Sequence, residues 1–441
     1  MPDHEHNSNN AQLSPDQDHL GWTSVSDLPP KRPRRRHVIL FSALVAVASL
    51  VGWHLLTHHQ ASKVSAQGPQ KAASAVAGWL HTDGTSLVDA SGNHVILAGV
   101  DDARPNYGEG NTPDSCPRHR TWSMSSAADI ANMRSMGFNM DRIALSWANL
   151  EPVAPTVNPD GTLTHHWNTQ YLAALDKEIA ELQANHMVAI LDMHQGGWSP
   201  AFTSFHCEGY GMPSWLYPAL SRSVSSVSTA QCQFFSDLAE ATVPEKPQEG
   251  LAAAWSMLAG SYASDPTVVG ADMVNEPNWP GSCTSADLAS FYEKIGQAIR
   301  TGNTHVLLIY EDKAYSTYNH HAFLLERKPA LTNAVYSWHF YPSNWQTGQA
   351  SLAAHLARAR SWNVPLWIGE FDCFGASYNI HVKAPLDPNW QSDLRALMAY
   401  FKQNGISWSI WDYNSGGYSV VVPGTTRPKS ELITLLQQDM P

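Results

Sequence analysis

The feature that most limits the folds open to this chain is a repeated alternation. From Gly78 onward, short apolar runs alternate with amphipathic stretches long enough to be helices. Strands are predicted near residues 95–100, 138–146, 187–193, 269–274, 305–310, 334–340, 365–369 and 406–411. Helices fit 126–136, 168–184, 251–263, 285–300, 348–361, 388–403 and 429–438. The pattern is clearest over 168–184, where Leu172, Leu175, Ile179 and Leu182 share one face while Asp176, Lys177 and Glu181 face outward. Eight strands with helices between them predict an α/β fold, a (β/α)8 TIM barrel. An open doubly wound sheet is the alternative, weakened because no Gly-rich dinucleotide fingerprint follows the first strand. Ahead of that strand, Trp79-Leu80 and Leu87-Val88-Asp89 flank turn residues and read as a short N-terminal β-hairpin.

The residues before the barrel divide in three. Residues 1–37 are polar, lack apolar periodicity and read as a disordered cytoplasmic tail. A basic cluster, Lys31 to Arg36, then abuts residues 38–56, which are 19 residues without Asp, Glu, Lys or Arg. That run is long enough for a single membrane-spanning helix, and the positive flank places the C-terminal body outside the cytoplasm. The competing reading is a cleaved signal peptide with Val64-Ser65-Ala66 as the site. Residues 57–77 are rich in Ala, Ser, Gln and Lys and form a linker, leaving 78–441 as the barrel domain.

The net charge is −12, and the first 37 residues carry five acids against five bases, so the body holds all of it. An acidic body argues against nucleic acid as a partner, because phosphate binding needs a basic face. A neutral polymer suits it better. The 17 Trp residues serve mainly the core, with a surplus suited to stacking on sugars. Of the five cysteines, Cys207 and Cys232 are the first candidates for a disulfide in an exported body, and one cysteine must stay unpaired. No Cys/His spacing suggests zinc, and the adjacent His pairs lack a third ligand, so neither metal nor cofactor is expected. The body is expected to be a monomer.

In a barrel of this kind the reactive side chains lie where strands end. The expected strand ends carry Arg142 and Trp147, then Asp192-Met193-His194-Gln195, then Asn275-Glu276-Pro277-Asn278. Further on come His339-Phe340-Tyr341, Gly369-Glu370-Phe371 and Trp411-Asp412-Tyr413-Asn414. Glu276 and Glu370, at the ends of strands four and seven, therefore face each other across one mouth. Two carboxyl groups flanking a bond are what glycoside hydrolysis asks for. Each residue has a plainer reading. Arg142 can be a structural ion pair and His194 a satisfied core histidine, while Asp101 and Asp102 are as easily solvated loop acids. Trp408 and Trp411 are three apart on one strand and point to opposite faces, so one of them is packing.

These residues together resemble glycoside hydrolase family 5, within the clan of retaining (β/α)8 β-glycosidases. The run from Val269 to Asn278 matches the family's strand-four signature, and Arg142, His194, His339, Tyr341, Glu370 and Trp411 follow in the family's order. The resemblance runs from about Trp79 to the C-terminus. It implies a hydrolase acting on a β-linked oligosaccharide, polysaccharide or glycolipid, with Glu370 as nucleophile and Glu276 as general acid/base of raised pKa. Arg142 and Tyr341 would hold Glu370, Asn275 the sugar 2-hydroxyl, His194 and His339 sugar hydroxyls or the acid/base, and Trp411 the sugar face. The loops at 146–152 and 191–195 and the segment 209–218 resemble the endoglycoceramidase-like and exo-glucanase-like branches, and residues 196–250 are expected to form a cleft wall. A transglycosylase and a non-catalytic glycan-binding envelope protein remain as alternatives.

Overall fold

The computed structural model describes residues 76–107, 122–202, 211–218, 224–238, 243–312, 325, 327–372, 388–414, 419–422 and 424–440. The expected membrane span at 38–56, the tail before it and most of the linker lie outside these residues. Among the described residues no helix is long and apolar enough to cross a membrane.

Three short strands, β1 (His81–Asp83), β2 (Ser86–Val88) and β3 (His94–Val95), form an antiparallel sheet, so the expected hairpin gains a third strand. The barrel strands are β4 (Ala98–Asp102), β5 (Met140–Leu145), β8 (Val188–Met193), β9 (Val268–Asp272), β10 (Leu307–Glu311), β11 (Ala334–Phe340), β12 (Leu366–Phe371) and β13 (Ser407–Ile410). They pair in parallel in chain order, and β13 closes on β4 through Trp408↔Ala98 and Ile410↔Val100. The (β/α)8 expectation is met, and the open-sheet alternative falls with that closure. A two-stranded ribbon, β6 (Val153–Val157) and β7 (Leu163–His166), is inserted after β5.

Strand alternation builds two layers. On β10, Leu308 and Tyr310 join the outer core against the helices, while Leu307 and Ile309 join an inner cluster. That inner cluster also holds Met140, Ile190, Val335 and Trp367, and Leu80 and Leu87 of the N-terminal sheet pack into it. The apolar plug fills one end of the barrel, so inward positions one step further along each strand are free to be polar.

The helix Thr169–Ala184 shows how local chemistry sets an element. Asn168 caps it by accepting from the backbone of Gln170 and Tyr171, and Tyr171, Leu175, Ile179 and Leu182 are buried. Tyr171 takes the buried place expected for Leu172, which is only partly covered. Glu178 is buried too, 1% exposed, and with Asp102 and Asp141 it forms a cluster whose nearest oxygens lie within 4.8 Å of one another.

The expected Cys207–Cys232 bridge is corrected: Cys232 is bonded to Cys283. The bond ties the helix Val224–Phe235, which follows the third barrel strand, to the loop after β9. Spacing along the chain gave no access to that proximity, which exists only once the two segments pack.

Candidate active site

Arg142 is the hub. It projects from β5 into the barrel and is completely buried. Its guanidinium donates to Glu370 Oε1 at 2.8 Å, Asp272 Oδ2 at 2.9 and 3.0 Å, Asp101 Oδ1 at 3.2 Å and Asn275 Oδ1 at 2.8 Å. Asp192 lies 3.2 Å away and Glu311 3.5 Å away. A buried charge survives only when paired in this way, and the surrounding carboxylates hold its pKa well above the ordinary value against the opposing effect of burial. Asp101 and Asp102 are not solvated loop acids. Both are fully buried, Asp101 against Arg142 and Asp102 against Arg104 at 2.8 Å.

Glu370, at the end of β12, uses both oxygens. Arg142 donates to Oε1, and the Tyr341 hydroxyl donates to Oε2 at 2.8 Å. Glu276 faces it from the loop after β9, with a carboxylate oxygen within 4.8 Å of one on Glu370. The Glu276 backbone is left-handed, at φ +44°, a conformation that non-glycine residues seldom hold without outside support. The support is visible. Gln195 Nε2 donates to the carbonyls of Asn275 and Glu276 at 2.8 and 2.9 Å, and the Glu276 N–H donates to Glu311 Oε2 at 3.0 Å.

His339, from β11, lies between the carboxylates. Its Nδ1 meets Glu276 Oε1 at 3.0 Å and Glu370 Oε2 at 3.5 Å, and its Nε2 stands 3.1 Å from Glu311 Oε1. Gly369 makes room for the ring: a Cβ there would come within 3.0 Å of Nε2 and 2.7 Å of Ser337 Oγ. Burial disfavours an imidazolium, but Glu311, Glu370 and Glu276 outweigh it and hold the His339 pKa well above the ordinary histidine value.

That charge reverses the expected order of the two glutamates. Burial raises the Glu276 carboxyl, but the hydrogen bond and charge of His339 more than offset it, and the net direction is downward. Burial raises Glu370, more than the charges of His339 and Arg142 lower it. The raised pKa expected for Glu276 is therefore corrected for the unliganded site, where the hydrogen bond and charge of His339 draw it down. The two carboxyls titrate as a pair.

His194 is buried and pushed down to about 3, chiefly by burial, so its ring is neutral. It bonds Asp192 at 2.7 Å and stacks on Trp411, with ring centroids 5.3 Å apart. Trp408, by contrast, is packed between Phe138 and Phe371 in the outer core. Asn275 Nδ2 donates to the Gln195 carbonyl at 2.8 Å while its Oδ1 accepts from Arg142, so the amide is held at both ends. All eight residues singled out from the sequence thus meet in one site. Segments 203–210, 219–223 and 239–242 of the expected cleft wall lie outside the described residues.

Sequence reasoning missed Asp272, Gln195 and Glu311. Alternation was the available signal for Glu311, which follows inward-facing Leu307 and Ile309 at period two, but the predicted strand stopped one residue short. Asp272 sits inward at the end of β9, where its hydrogen-bonding partner is an arginine 130 residues away.

Comparison with known proteins adds to this geometry. A family model described as cellulase (glycosyl hydrolase family 5) matches residues 88–417. An endoglucanase from Paenibacillus polymyxa is 23% identical over 403 residues, covering 82% of this chain and 87% of that one. Endoglycoceramidase I from Rhodococcus hoagii is 26% identical over 367 residues, covering 76% and 68%. Endo-glycoceramidase II from Rhodococcus sp., solved as a ganglioside GM3 complex, superposes with a TM-score of 0.62 at 21% identity, covering 80% of this chain and 81% of that one, and shares the fold. The family match spans most of the barrel and includes both glutamates, and the chain belongs to glycosyl hydrolase family 5.

Proposed function

We propose that this glycosyl hydrolase is a retaining β-glycosidase in which Glu370 attacks the anomeric carbon and Glu276 serves as acid and then base. The observation that carries the reading is the close approach of the two carboxylates across the barrel mouth, with oxygens within 4.8 Å. Double displacement places the carboxyl groups about 5–5.5 Å apart, whereas inversion needs about 6.5–9.5 Å to admit water. Glu370 is the nucleophile because both its oxygens accept hydrogen bonds, from Arg142 and Tyr341, an arrangement suited to a carboxylate. In the first half-reaction the Glu370–C1 bond forms as the bond from C1 to the leaving oxygen breaks, and a proton passes from Glu276 to that oxygen. In the second, Glu276 takes a proton from water, water oxygen bonds C1, and Glu370 departs as carboxylate. Asn275 and His339 border this space, and Trp411 with His194 forms a flat face for the sugar ring.

For substrate, the proposal is a β-glucosyl bond in a glycolipid or a β-glucan, supported by likeness to an endoglycoceramidase and an endoglucanase. The apolar run at 38–56 supports a single-pass anchor that keeps the barrel outside the cytoplasm beside a lipid or envelope substrate. The test is the full-length protein incubated with aryl β-glucoside and β-cellobioside, cello- and laminari-oligosaccharides, mannan and a lactosyl-lipid, with Glu370→Gln as blank. Release of intact glycan from lipid selects the glycolipid reading, and cleavage of oligosaccharides alone selects a glucanase. Glycosyl transfer to added acceptor sugar at the expense of hydrolysis selects the transglycosylase. Equal turnover by wild type and Glu370→Gln overturns the assignment.

A further inference from the structure

Among the described residues, Glu311 is the carboxylate that contacts both His339 and the backbone of Glu276. Its Oε1 lies 3.1 Å from His339 Nε2, and its Oε2 accepts the Glu276 N–H at 3.0 Å. It is 2% exposed and His339 is 1% exposed, so neither group has bulk water as its counterweight. Its own backbone N–H donates to the Tyr292 hydroxyl at 3.0 Å, which fixes the end of β10 against the surrounding helix Leu288–Gly302. On the far side of the imidazole, Nδ1 faces Glu276 Oε1 at 3.0 Å. The three groups therefore stand in a row, carboxylate, imidazole, carboxyl, with the outermost one open to the cleft: the Glu276 side chain is 20% exposed.

From this row we propose that Glu311 is a positioning residue which makes His339 the proton store for Glu276. The inference rests on the reading of Glu276 as acid/base. In the resting site the proton sits on His339 Nδ1, and Nε2 keeps its own proton toward Glu311. The His339 Nδ1–H bond breaks as an O–H bond forms on Glu276 Oε1, and that O–H bond breaks in turn as the leaving oxygen takes the proton, so Glu276 ends the half-reaction as carboxylate. His339 is left neutral and protonated on Nε2. In the second half-reaction water's proton returns by the same route, Glu276 to His339 Nδ1, and the row regains its starting charge. No group is consumed. The arrangement accounts for a site in which the acid's own pKa is depressed: the proton it must deliver is held one hydrogen bond away. The hydrogen bond that Glu311 Oε2 accepts from the Glu276 N–H serves the same end, since it holds Glu276 in the left-handed turn from which its carboxyl meets Nδ1.

Other charges face His339. Glu370 lies 3.5 Å from Nδ1, and Arg142 stands behind Glu311 at 3.5 Å. Asp101, Asp192, Asp272 and His194 act on it or on Glu276 at longer range. Glu311 differs from all of them in touching Nε2, the nitrogen that must keep its proton while Nδ1 gives one up.

The test uses full-length Glu311→Gln and Glu311→Asp. The pH dependence of kcat/KM is measured with two aryl β-glucosides, one carrying a strongly acidic phenol and one a weakly acidic phenol. Removing a negative charge in contact with the pair lowers its hold on the proton, so the basic limb of Glu311→Gln moves to lower pH by about one unit or more. The poor leaving group, which needs acid help, loses at least about tenfold more rate than the good one. Glu311→Asp, which keeps the charge, recovers part of both effects. A folded Glu311→Gln enzyme with an unmoved basic limb, or with equal losses on both substrates, overturns the proposal. Should Glu311→Gln fail to fold, nitrogen NMR of wild-type His339, assigned by comparison with His339→Asn, decides it. Two protonated ring nitrogens at neutral pH support the proton store, and a neutral ring refutes it. Full activity of Glu276→Gln on the poor leaving group would instead strike the assignment on which this rests, and so separates the two failures.

Discussion

Tyr341 gives Glu370 one of its two hydrogen bonds, hydroxyl to Oε2 at 2.8 Å, and Tyr341→Phe deletes that donor while keeping the ring. Burial and the charge of Glu370 hold the phenol well above its ordinary pKa, so it stays a donor throughout the working range. A hydrogen bond to a charged acceptor contributes about 1.5–3 kcal/mol. One pH unit corresponds to about 1.36 kcal/mol, so the loss is worth roughly one to two units. The sign follows from which form is stabilised. The bond favours the carboxylate, so without it Glu370 binds its proton more tightly and the enzyme must reach higher pH before the nucleophile is free. The acidic limb of kcat/KM therefore moves upward by about one to two units, because kcat/KM reports the free enzyme. At a pH on the wild-type acidic limb the rate falls roughly tenfold to a hundredfold, and much of it returns as pH rises. The assay is hydrolysis of an aryl β-glucoside across pH, with thermal unfolding to show that the fold persists. An acidic limb that stays in place, with a uniform drop in rate at every pH, would refute the argument, since the bond would then act on something other than ionisation.

Four further outcomes are expected. Glu276→Gln should lose most of its rate on a poor leaving group and keep far more on an activated aryl glycoside, read as the ratio of kcat/KM values. Asp141 and Glu178 are buried with carboxyl oxygens that lack hydrogen bonds, and burial, then neighbouring acid charge, raises both pKa values well above ordinary. Native protein binds those protons more tightly than unfolded chain, so their contribution is full below the ordinary carboxylate range and is lost as pH rises through the folded values. Thermal unfolding of wild type should accordingly weaken as pH rises above that range, and Glu178→Gln should show a shallower decline; identical slopes would mean that Glu178 does not titrate with folding. Cys283→Ser opens a loop closed across 51 residues and should cost about 4 kcal/mol in denaturant unfolding. Gly369→Ala pushes a methyl against His339 and Ser337, so it should reduce kcat on poor leaving groups with little change in secondary structure by circular dichroism.

Much of the site was legible because strand ends can be found from periodicity. Alternating apolar runs locate the strands; His194, Asn275, Glu276, His339, Tyr341, Glu370 and Trp411 fall at or just after their ends, while Arg142 lies within β5. Trp408 and Trp411 were separable for the same reason: three residues apart on a strand, they point to opposite faces, one to Phe138 and Phe371 and the other to His194. Asp101 was legible as an acid that could reach a sugar or lie solvated in a loop, but not as an ion-pair partner, because Arg142 belongs to the neighbouring strand.

What the sequence by itself determined is the part of the protein written in local period. The apolar alternation pointed to parallel strands with helices between them, a barrel ahead of an open sheet, and the polar residues ending them named a pair of glutamates. The tertiary structure alone decided who sits beside whom. Cys232 meets Cys283 and not Cys207, Glu178 turns inward to two aspartates, and Glu370 reaches an arginine 228 residues earlier in the chain. It also decided which way the two carboxyl pKa values move. A carboxyl's pKa depends on charges a few ångströms away in a medium that screens them poorly, and those charges arrive from strands far apart in the chain. Side-chain period is a property of neighbours along the backbone, whereas burial and charge pairing belong to neighbours in space, and only the closed barrel brings Glu276, Glu311, His339 and Glu370 together.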